Sequence, residues 1–242
     1  MRPKFSIITV SYNSAGTIRE TIESVLGQTF RDFEYILVDG ASTDGTLSII
    51  EEYAACHPDR IRYVSEPDGG IYQAMNKGIR MSKGNVIGIL NSDDWYERDA
   101  LEKVAPYVRN EGEYVLYGMV RFWDHEREDR IVMNHHESLK YRMLLHPACF
   151  VSRSAYVKYG RYDERYRSAA DCECFLRFQK SQVEFIPIFE ILANFRLGGM
   201  SSSYTSHRET NMIYRKYGYL TEKQYIIRMF SSYIKYKLLK LS

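Results

Sequence analysis

The chain has 242 residues, 45% hydrophobic and 26% charged, with a formal net charge of +2. That length holds one large domain or two small ones with an ample core, and the balanced charge offers no field for nucleic acid. Met1 to Lys4 leads straight into a strand with no signal peptide, and no apolar run is long enough to span a bilayer.

The four cysteines, Cys56, Cys149, Cys172 and Cys174, show no paired spacing and read as reduced thiols of a cytoplasmic protein. The 21 tyrosines suit half-buried positions or a carbohydrate partner. Phe5 to Val10 is β-branched and apolar, which predicts a strand. Thr17 to Leu26 then predicts a helix, with Ile18, Ile22, Val25 and Leu26 on one face. Glu34 to Asp39 is a second strand, Gly40 to Gly45 a turn, and Thr46 to Ala55 a short helix. A third strand, Ile61 to Ser65, ends at Glu66-Pro67-Asp68-Gly69-Gly70, and a helix follows over Ile71 to Met81. The fourth strand starts at Val86 as a continuous apolar run and stops at Asn91-Ser92-Asp93-Asp94.

Alternating strands and helices imply parallel pairing through right-handed crossovers, with ligands outside the carboxyl ends of the strands. Each of the four strands delivers polar groups to that edge: Tyr12 and Asn13, Asp39, Asp68, and Asn91 to Asp94. Two adjacent carboxylates at a buried strand end repel each other, and a hard divalent cation relieves both the repulsion and the lost hydration. A solvated turn that caps the next helix is the plainer alternative. No GxGxxG or GxxxxGK[ST] loop is present, which argues against a dinucleotide cofactor or a P-loop NTPase.

Five segments come in order: Thr9 to Asn13, Ser24 to Phe30, Val38 to Thr46, Asn76-Lys77-Gly78, and Asn91 to Asp94. Together they resemble the motifs of family-2 glycosyltransferases with the GT-A fold. Ser65 to Ile79 (SEPDGGIYQAMNKGI) resembles the branch that builds bacterial surface polysaccharides. The resemblance implies that Tyr12 stacks on the nucleotide base and that Asp39 binds base or ribose. It places Asp68, Asn76, Asn91 and Ser92 in the nucleotide site, and Asp93 with Asp94 on Mg²⁺ or Mn²⁺. Two positions depart from the family's pattern: Asn91 replaces the first acid of DxD, and Gly40 replaces the second Asp of VDDGS.

In the second half, Asp99 to Ala105 predicts a helix that Pro106 ends or kinks. Tyr114 to Tyr117 predicts a strand, and Val120 to Trp123 with Arg130 to Met133 a hairpin around the charged loop Asp124 to Asp129. His135 and His136 read as surface histidines, and His146-Pro147 falls where the family often has a histidine before a strand. Ser168 to Arg177 resembles the segment that carries the family's general base, which makes Asp171 the candidate and Glu173 the second choice. An Asp at a helix start is also a common structural cap, and a helix N-terminus would hold it ionised. No QxxRW signature is present, which points to single transfers. Ile191 to Leu197 is the last predicted strand, and Leu197 to Ser203 resembles a loop that closes over the diphosphate. His207 is a further metal-shell residue in some relatives. The tail 224–241 reads either as a basic amphipathic helix for an anionic membrane surface or as a packed helix.

The expected architecture is α/β: GT-A, with a Rossmann-like, mostly parallel sheet flanked by helices, and a C-terminal helical tail. Residues 1–205 form the catalytic domain, 1–117 its nucleotide half and 118–205 its acceptor half, and 206–242 the tail. The expected function is inverting, metal-dependent transfer from a UDP-sugar to a hydroxyl of a lipid-linked saccharide, with Asp171 as base. A non-catalytic nucleotide-sugar or glycan-binding module is the main rival, and a sugar-phosphate nucleotidyltransferase a lesser one. The latter would show a Gly-rich basic loop near the N-terminus, which Thr9 to Asn13 lacks.

Overall fold

Strand and helix alternate through the first half of a computed structural model that describes residues 2–198 and 204–239. β1 (Phe5–Ser11), α1 (Ile18–Leu26), β2 (Phe33–Asp39), α2 (Thr46–Cys56), β3 (Ile61–Ser65), α3 (Ile71–Met81) and β4 (Val86–Asn91) follow in order. The second half adds β5 (Trp95–Tyr96), α4 (Ala100–Val104), β6 (Tyr114–Asp124), β7 (Arg127–Val132), β8 (Cys149–Ser152), α5 (Arg153–Tyr159) and α6 (Ala170–Lys180). β9 (Glu184–Arg196), α7 (Tyr204–Lys216) and α8 (Glu222–Leu239) complete it.

The strands join one sheet in the order β3-β2-β1-β4-β8-β6-β9-β5, with β7 on β6. β1 to β4 pair in parallel, β8 runs antiparallel between β4 and β6, and β6 pairs in parallel with β9. Both faces are covered, which is why β1 and β4 read as nearly unbroken apolar runs. Successive residues of β1 point to opposite faces. Ile8 and Val10 join a core with Met75 and Ile79 of α3 and Phe175 and Leu176 of α6. Phe5 and Ile7 join a second core with Ile18 and Ile22 of α1 and Leu101 of α4. Each such side chain contributes roughly 1.5–3 kcal/mol by burial.

Three elements differ from the sequence expectation. Tyr114–Tyr117 and Val120–Trp123 are parts of one strand, β6, which continues through Gly118 with register shifts against β9. The turn of the charged hairpin is confined to His125 and Glu126, since the exposed Arg127–Val132 forms β7. A strand with charges along its length is how an exposed sheet edge resists further pairing. β9 begins at Glu184, seven residues before the predicted start at Ile191. Pro187 reads as a strand breaker, but β9 pairs there only with β6, so no ladder hydrogen bond is lost on its other side.

α3 lies close on β1 because residue 78 has no side chain: a Cβ there would sit 2.5 Å from Ile8 Cγ2. Gly78→Ala is therefore expected to destabilise the protein by about 1–3 kcal/mol in urea unfolding, since overpacking outweighs the ~1 kcal/mol gain in helix propensity. Adding Ile8→Ala should recover part of the packing loss, and a stabilised Gly78→Ala single variant would contradict the close approach.

Candidate active site

The carboxyl ends of β1, β2 and β3 are tied together by one carboxylate. Asp39, at the end of β2, has no exposed surface. Its Oδ1 accepts from the Ser11 hydroxyl (3.1 Å) and from the Ser42 hydroxyl, and its Oδ2 from the Ser42 N–H (2.9 Å) and the Ser65 hydroxyl (2.7 Å). Four donors satisfy both oxygens, as a buried charge requires. The following loops are laced in turn. The Asn13 N–H donates to Ser42 Oγ (2.8 Å), and Asn13 Oδ1 accepts from the Thr43 N–H (2.8 Å). Asn13 and Ala41 both hold left-handed backbone (φ 50° and 60°), conformations that persist only where neighbours fix them.

Tyr12 stands clear of this network with 66% of its surface exposed, so its ring is free to stack on a ligand. Gly40 lies beside it, and a Cβ on residue 40 would be 2.9 Å from Asp68 Oδ2 and 3.3 Å from the Tyr12 ring. The carboxylate absent from position 40 is thus supplied in space by Asp68, from the end of β3. The other Asp68 oxygen accepts from the Gly70 N–H (2.9 Å), which closes the turn into α3.

The end of β4 divides its two acids. Asp94 is buried, its Oδ1 accepts from the Arg196 N–H (3.2 Å), and its carbonyl accepts from the Thr21 hydroxyl (2.7 Å). Burial, then the charge of Asp93, pushes the Asp94 carboxyl well above the usual carboxylate range. Asp93 is the half-buried member of the pair. Arg196 Nε holds its backbone carbonyl at 3.1 Å, and the same guanidinium lies 4.8 Å over the Trp95 ring. Ser92 links β4 to the β1 loop through Ser14 Oγ (2.7 Å). Among the described residues, Asn91 Oδ1, Asp94 Oδ2 and His146 Nε2 are buried without a hydrogen-bond partner. Two orphaned oxygens flanking Asp93 are the hard donor set that suits Mg²⁺ or Mn²⁺.

Asp171, in the first turn of α6, is buried. Tyr72 of α3 donates its hydroxyl to Oδ1 at 2.9 Å, and His146 Nδ1 lies 3.9 Å from Oδ2. Burial raises the Asp171 carboxyl above its ordinary range, and the His146 charge and the Tyr72 hydroxyl offset only part of this. Burial also lowers His146, against the pull of Asp171 and Asp93, so both groups are driven toward their neutral forms. Desolvation therefore works against the helix terminus, which alone would favour the ionised carboxylate. Asp171 is not the N-cap, since Ala169 occupies that position.

α7 ties down the turn that leads into α6. Glu209, itself buried, accepts from the N–H groups of Arg167 (2.8 Å), Ser168 (2.8 Å) and Ala169 (3.1 Å). Of these, Ala169 is the N-cap of α6 and the other two precede it, and a carboxylate there also complements the helix dipole. Glu173 faces away, bound to Arg177 (3.2 Å), Lys216 (3.2 Å) and the Tyr217 hydroxyl (2.9 Å), and is not available as a base. Asn76 is committed to Tyr162 and Glu164: its Nδ2 donates to the Tyr162 carbonyl and Glu164 Oε1 (both 2.8 Å), and its Oδ1 accepts from the Tyr162 N–H (3.0 Å). It fastens the segment ahead of α6 onto α3.

Tyr72, Glu209 and Arg196 received no role from sequence. Tyr72 lies inside the SEPDGGIYQAMNKGI segment, and the other two lie far along the chain from the groups they hold. Most of the predicted phosphate loop, residues 199–203, lies outside the described residues, and His207 is exposed on α7. His135, His136 and Glu137 bring ligand atoms within 4.8 Å of one another, but His136 is occupied by the Tyr117 hydroxyl (2.8 Å) and stacks on Phe185.

The glycosyl transferase family 2 profile matches residues 6–181. A PGL/p-HBAD biosynthesis glycosyltransferase of Mycobacterium bovis is 34% identical over 184 residues, covering 72% of this chain and 69% of the relative. The chondroitin synthase of Escherichia coli is 32% identical over 186 residues, 74% of this chain but only 27% of that enzyme. Among solved structures, S. aureus TarS 1-349 in complex with UDP-GlcNAc superposes with a TM-score of 0.73 at 19% identity, over 93% of this chain and 70% of that one. The mannosyltransferase PcManGT from Pyrobaculum calidifontis, in complex with GDP-Man and Mn2+, gives 0.71 at 19% identity, over 92% and 66%. The chain spans 65% of the length of ligand-free TarS 1-349 and 39% of the longer TarS chain.

Glu209→Gln leaves one amide oxygen to serve three N–H donors and turns an NH₂ group toward them. It is expected to cost about 1.5–3 kcal/mol of stability in urea unfolding, with faster amide hydrogen exchange at Arg167, Ser168 and Ala169. Unchanged exchange at those three amides would rule out this hold on the turn.

Proposed function

The chain belongs to glycosyl transferase family 2, and from that premise we propose that it is an inverting, metal-assisted transferase. It would move a sugar from a UDP-sugar to a hydroxyl of a lipid-linked saccharide, on the cytoplasmic side. The observation that carries this reading is the pair of unpartnered oxygens at the end of β4, Asn91 Oδ1 and Asp94 Oδ2, which flank Asp93 as a hard donor set. The buried Asp171, 3.9 Å from His146, supports a proton acceptor for the same reaction. Nucleotide-sugar chemistry is supported by the UDP-GlcNAc and GDP-Man bound to the two fold neighbours. The relative named a PGL/p-HBAD biosynthesis glycosyltransferase supports sugar transfer as the reaction.

In the proposed mechanism Tyr12 stacks on the base, and Asp39 holds the surrounding loops in place through Ser11, Ser42 and Ser65. Asp68, beside Gly40, supplies the second carboxylate of the nucleoside site. Asn91, Asp93 and Asp94 would hold a divalent cation, which when bound neutralises charge on the departing diphosphate. The acceptor oxygen attacks the anomeric carbon, the bond from that carbon to the phosphate oxygen breaks, and the hydroxyl proton passes to Asp171. A raised carboxyl pKa makes Asp171 a stronger proton acceptor once ionised. Tyr72 orients its Oδ1, and His146 screens Oδ2.

A panel of nucleotide sugars, assayed for hydrolysis and transfer with Mg²⁺ or Mn²⁺, tests the reading; absence of turnover with every donor would favour a binding module. UDP affinity in calorimetry should increase with Mn²⁺ over EDTA, and Asp93→Ala should remove that increase; equal affinities in the wild type would exclude the cation site. Asp171→Asn should keep UDP-sugar affinity and melting temperature while transfer falls at least about 10²-fold. Because the ionised form is active, kcat/KM should fall with decreasing pH through a midpoint above the ordinary aspartate value. Tyr72→Phe removes a donor to the carboxylate and should move that midpoint up by about one pH unit. A midpoint that moves down or stays fixed would refute the Tyr72–Asp171 coupling.

A further inference from the structure

α8 packs on α7 mainly through one side. Arg215 of α7 lies 4.7 Å over the Tyr225 ring, Tyr236 stacks on Tyr204 at 4.9 Å, and Glu222 pairs with Arg215 at 2.6 Å. At 100° per residue Tyr225, Met229, Ser232 and Tyr236 share that side, and all four are half-buried. Ile226, Ile227, Phe230, Tyr233 and Ile234 fall on a different arc, about 120° wide. These five are between 41% and 65% exposed. Tyr233, at the border of the arc, meets Tyr204 edge-on at 6.4 Å. Such a stripe on a surface helix would ordinarily face a core, and here most of its surface is left open.

The charges on the helix identify what does. α8 carries four basic residues, Lys223, Arg228, Lys235 and Lys237, against one acid, Glu222, which Arg215 already pairs. Lys223 and Lys237 lie on the same arc as the apolar stripe, one at each end, about 21 Å apart along the axis. Long basic side chains at the ends of an apolar stripe bury their stems and keep their ammonium groups at a polar, anionic boundary. A second copy of the chain fits this pattern poorly. Two-fold antiparallel pairing of the stripe would bring Lys223 of one copy to Lys237 of the other, with no carboxylate between them. No helix among the described residues is long and apolar enough to cross a membrane, so the contact is one of lying on a surface.

We infer that the exposed Ile226–Ile234 face of α8 docks the protein in the headgroup region of an anionic lipid bilayer. The contact needs neither donor nor acceptor, so it is tested apart from the transfer reaction. The full chain is sedimented with vesicles of phosphatidylcholine alone and of phosphatidylcholine mixed with phosphatidylglycerol, whose anionic headgroups attract basic side chains. Binding is expected with the anionic vesicles and is expected to weaken several-fold at high salt, where the lysines are screened. Ile227→Ser with Phe230→Ser should reduce binding about tenfold or more at unchanged melting temperature, because it removes two buried apolar side chains. Lys223→Glu with Lys237→Glu should remove the preference for anionic over neutral vesicles. Wild-type protein that stays in the supernatant, or a double-serine variant that binds as well as wild type, would overturn the inference. So would sedimentation velocity that shows a wild-type dimer converted to monomer by the two serines, which would assign the stripe to a second copy.

Discussion

A buried carboxylate without a cationic partner is the constraint on which the site depends. Asp39 sits with no exposed surface at the end of β2, and four hydrogen bonds from Ser11, Ser42 and Ser65 offset its lost hydration. Those donors come from the end of β1, the loop after β2 and the end of β3. Keeping Asp39 satisfied therefore fixes three strand ends relative to one another. The left-handed backbone at Asn13 and Ala41 is a consequence, because the loops must fold back to bring Ser42 and Thr43 into reach. Tyr12 is presented outward from this rigid base.

The acids of the site are sorted by what surrounds them. Glu173 and Asp171 are two residues apart on α6, yet Glu173 is held by Arg177, Lys216 and Tyr217, while Asp171 has a hydroxyl and a neutral-leaning histidine. Glu209 is spent entirely on backbone donors at the start of α6. Asp171, left with weak partners in a desolvated place, has its affinity for protons raised, which is the property a general base requires, and burial raises Asp94 as well. The same sorting separates Asp94, locked to the Arg196 backbone, from the half-buried Asp93.

α7 connects these features to the end of the chain. Its Glu209 holds the turn that leads into the helix carrying Asp171, and its Ile213 and Tyr214 enter the core shared by α3 and α6. On its other side Tyr204 and Arg215 hold α8. A contact made by α8 therefore lies one helix away from the segment that positions the base.

Periodicity and punctuation in the sequence were enough to place the first seven elements, β1 to β4 with α1 to α3, nearly residue for residue. β1, β2 and β4 are buried along almost their whole length, and each helix is bounded by Gly, Pro or polar turns, so local pattern and tertiary demand agree. The same agreement put Tyr12, Asp39, Asp68 and Asn91 to Asp94 on one rim, because the topology of a parallel sheet sends all strand ends to the same edge. The pattern misled where an edge strand is charged, at β7, and where a proline sits in a strand, at Pro187 of β9. What only the tertiary structure decided were relations between residues far apart in the chain. Asp68 lies beside the Gly40 position, Glu209 holds the turn ahead of α6 across forty residues, Tyr72 and His146 meet Asp171, and desolvation raises the proton affinity of that acid. None of these has a local signature, because burial and through-space contact set them, and both arise only when the sheet and its two helical layers close around the site.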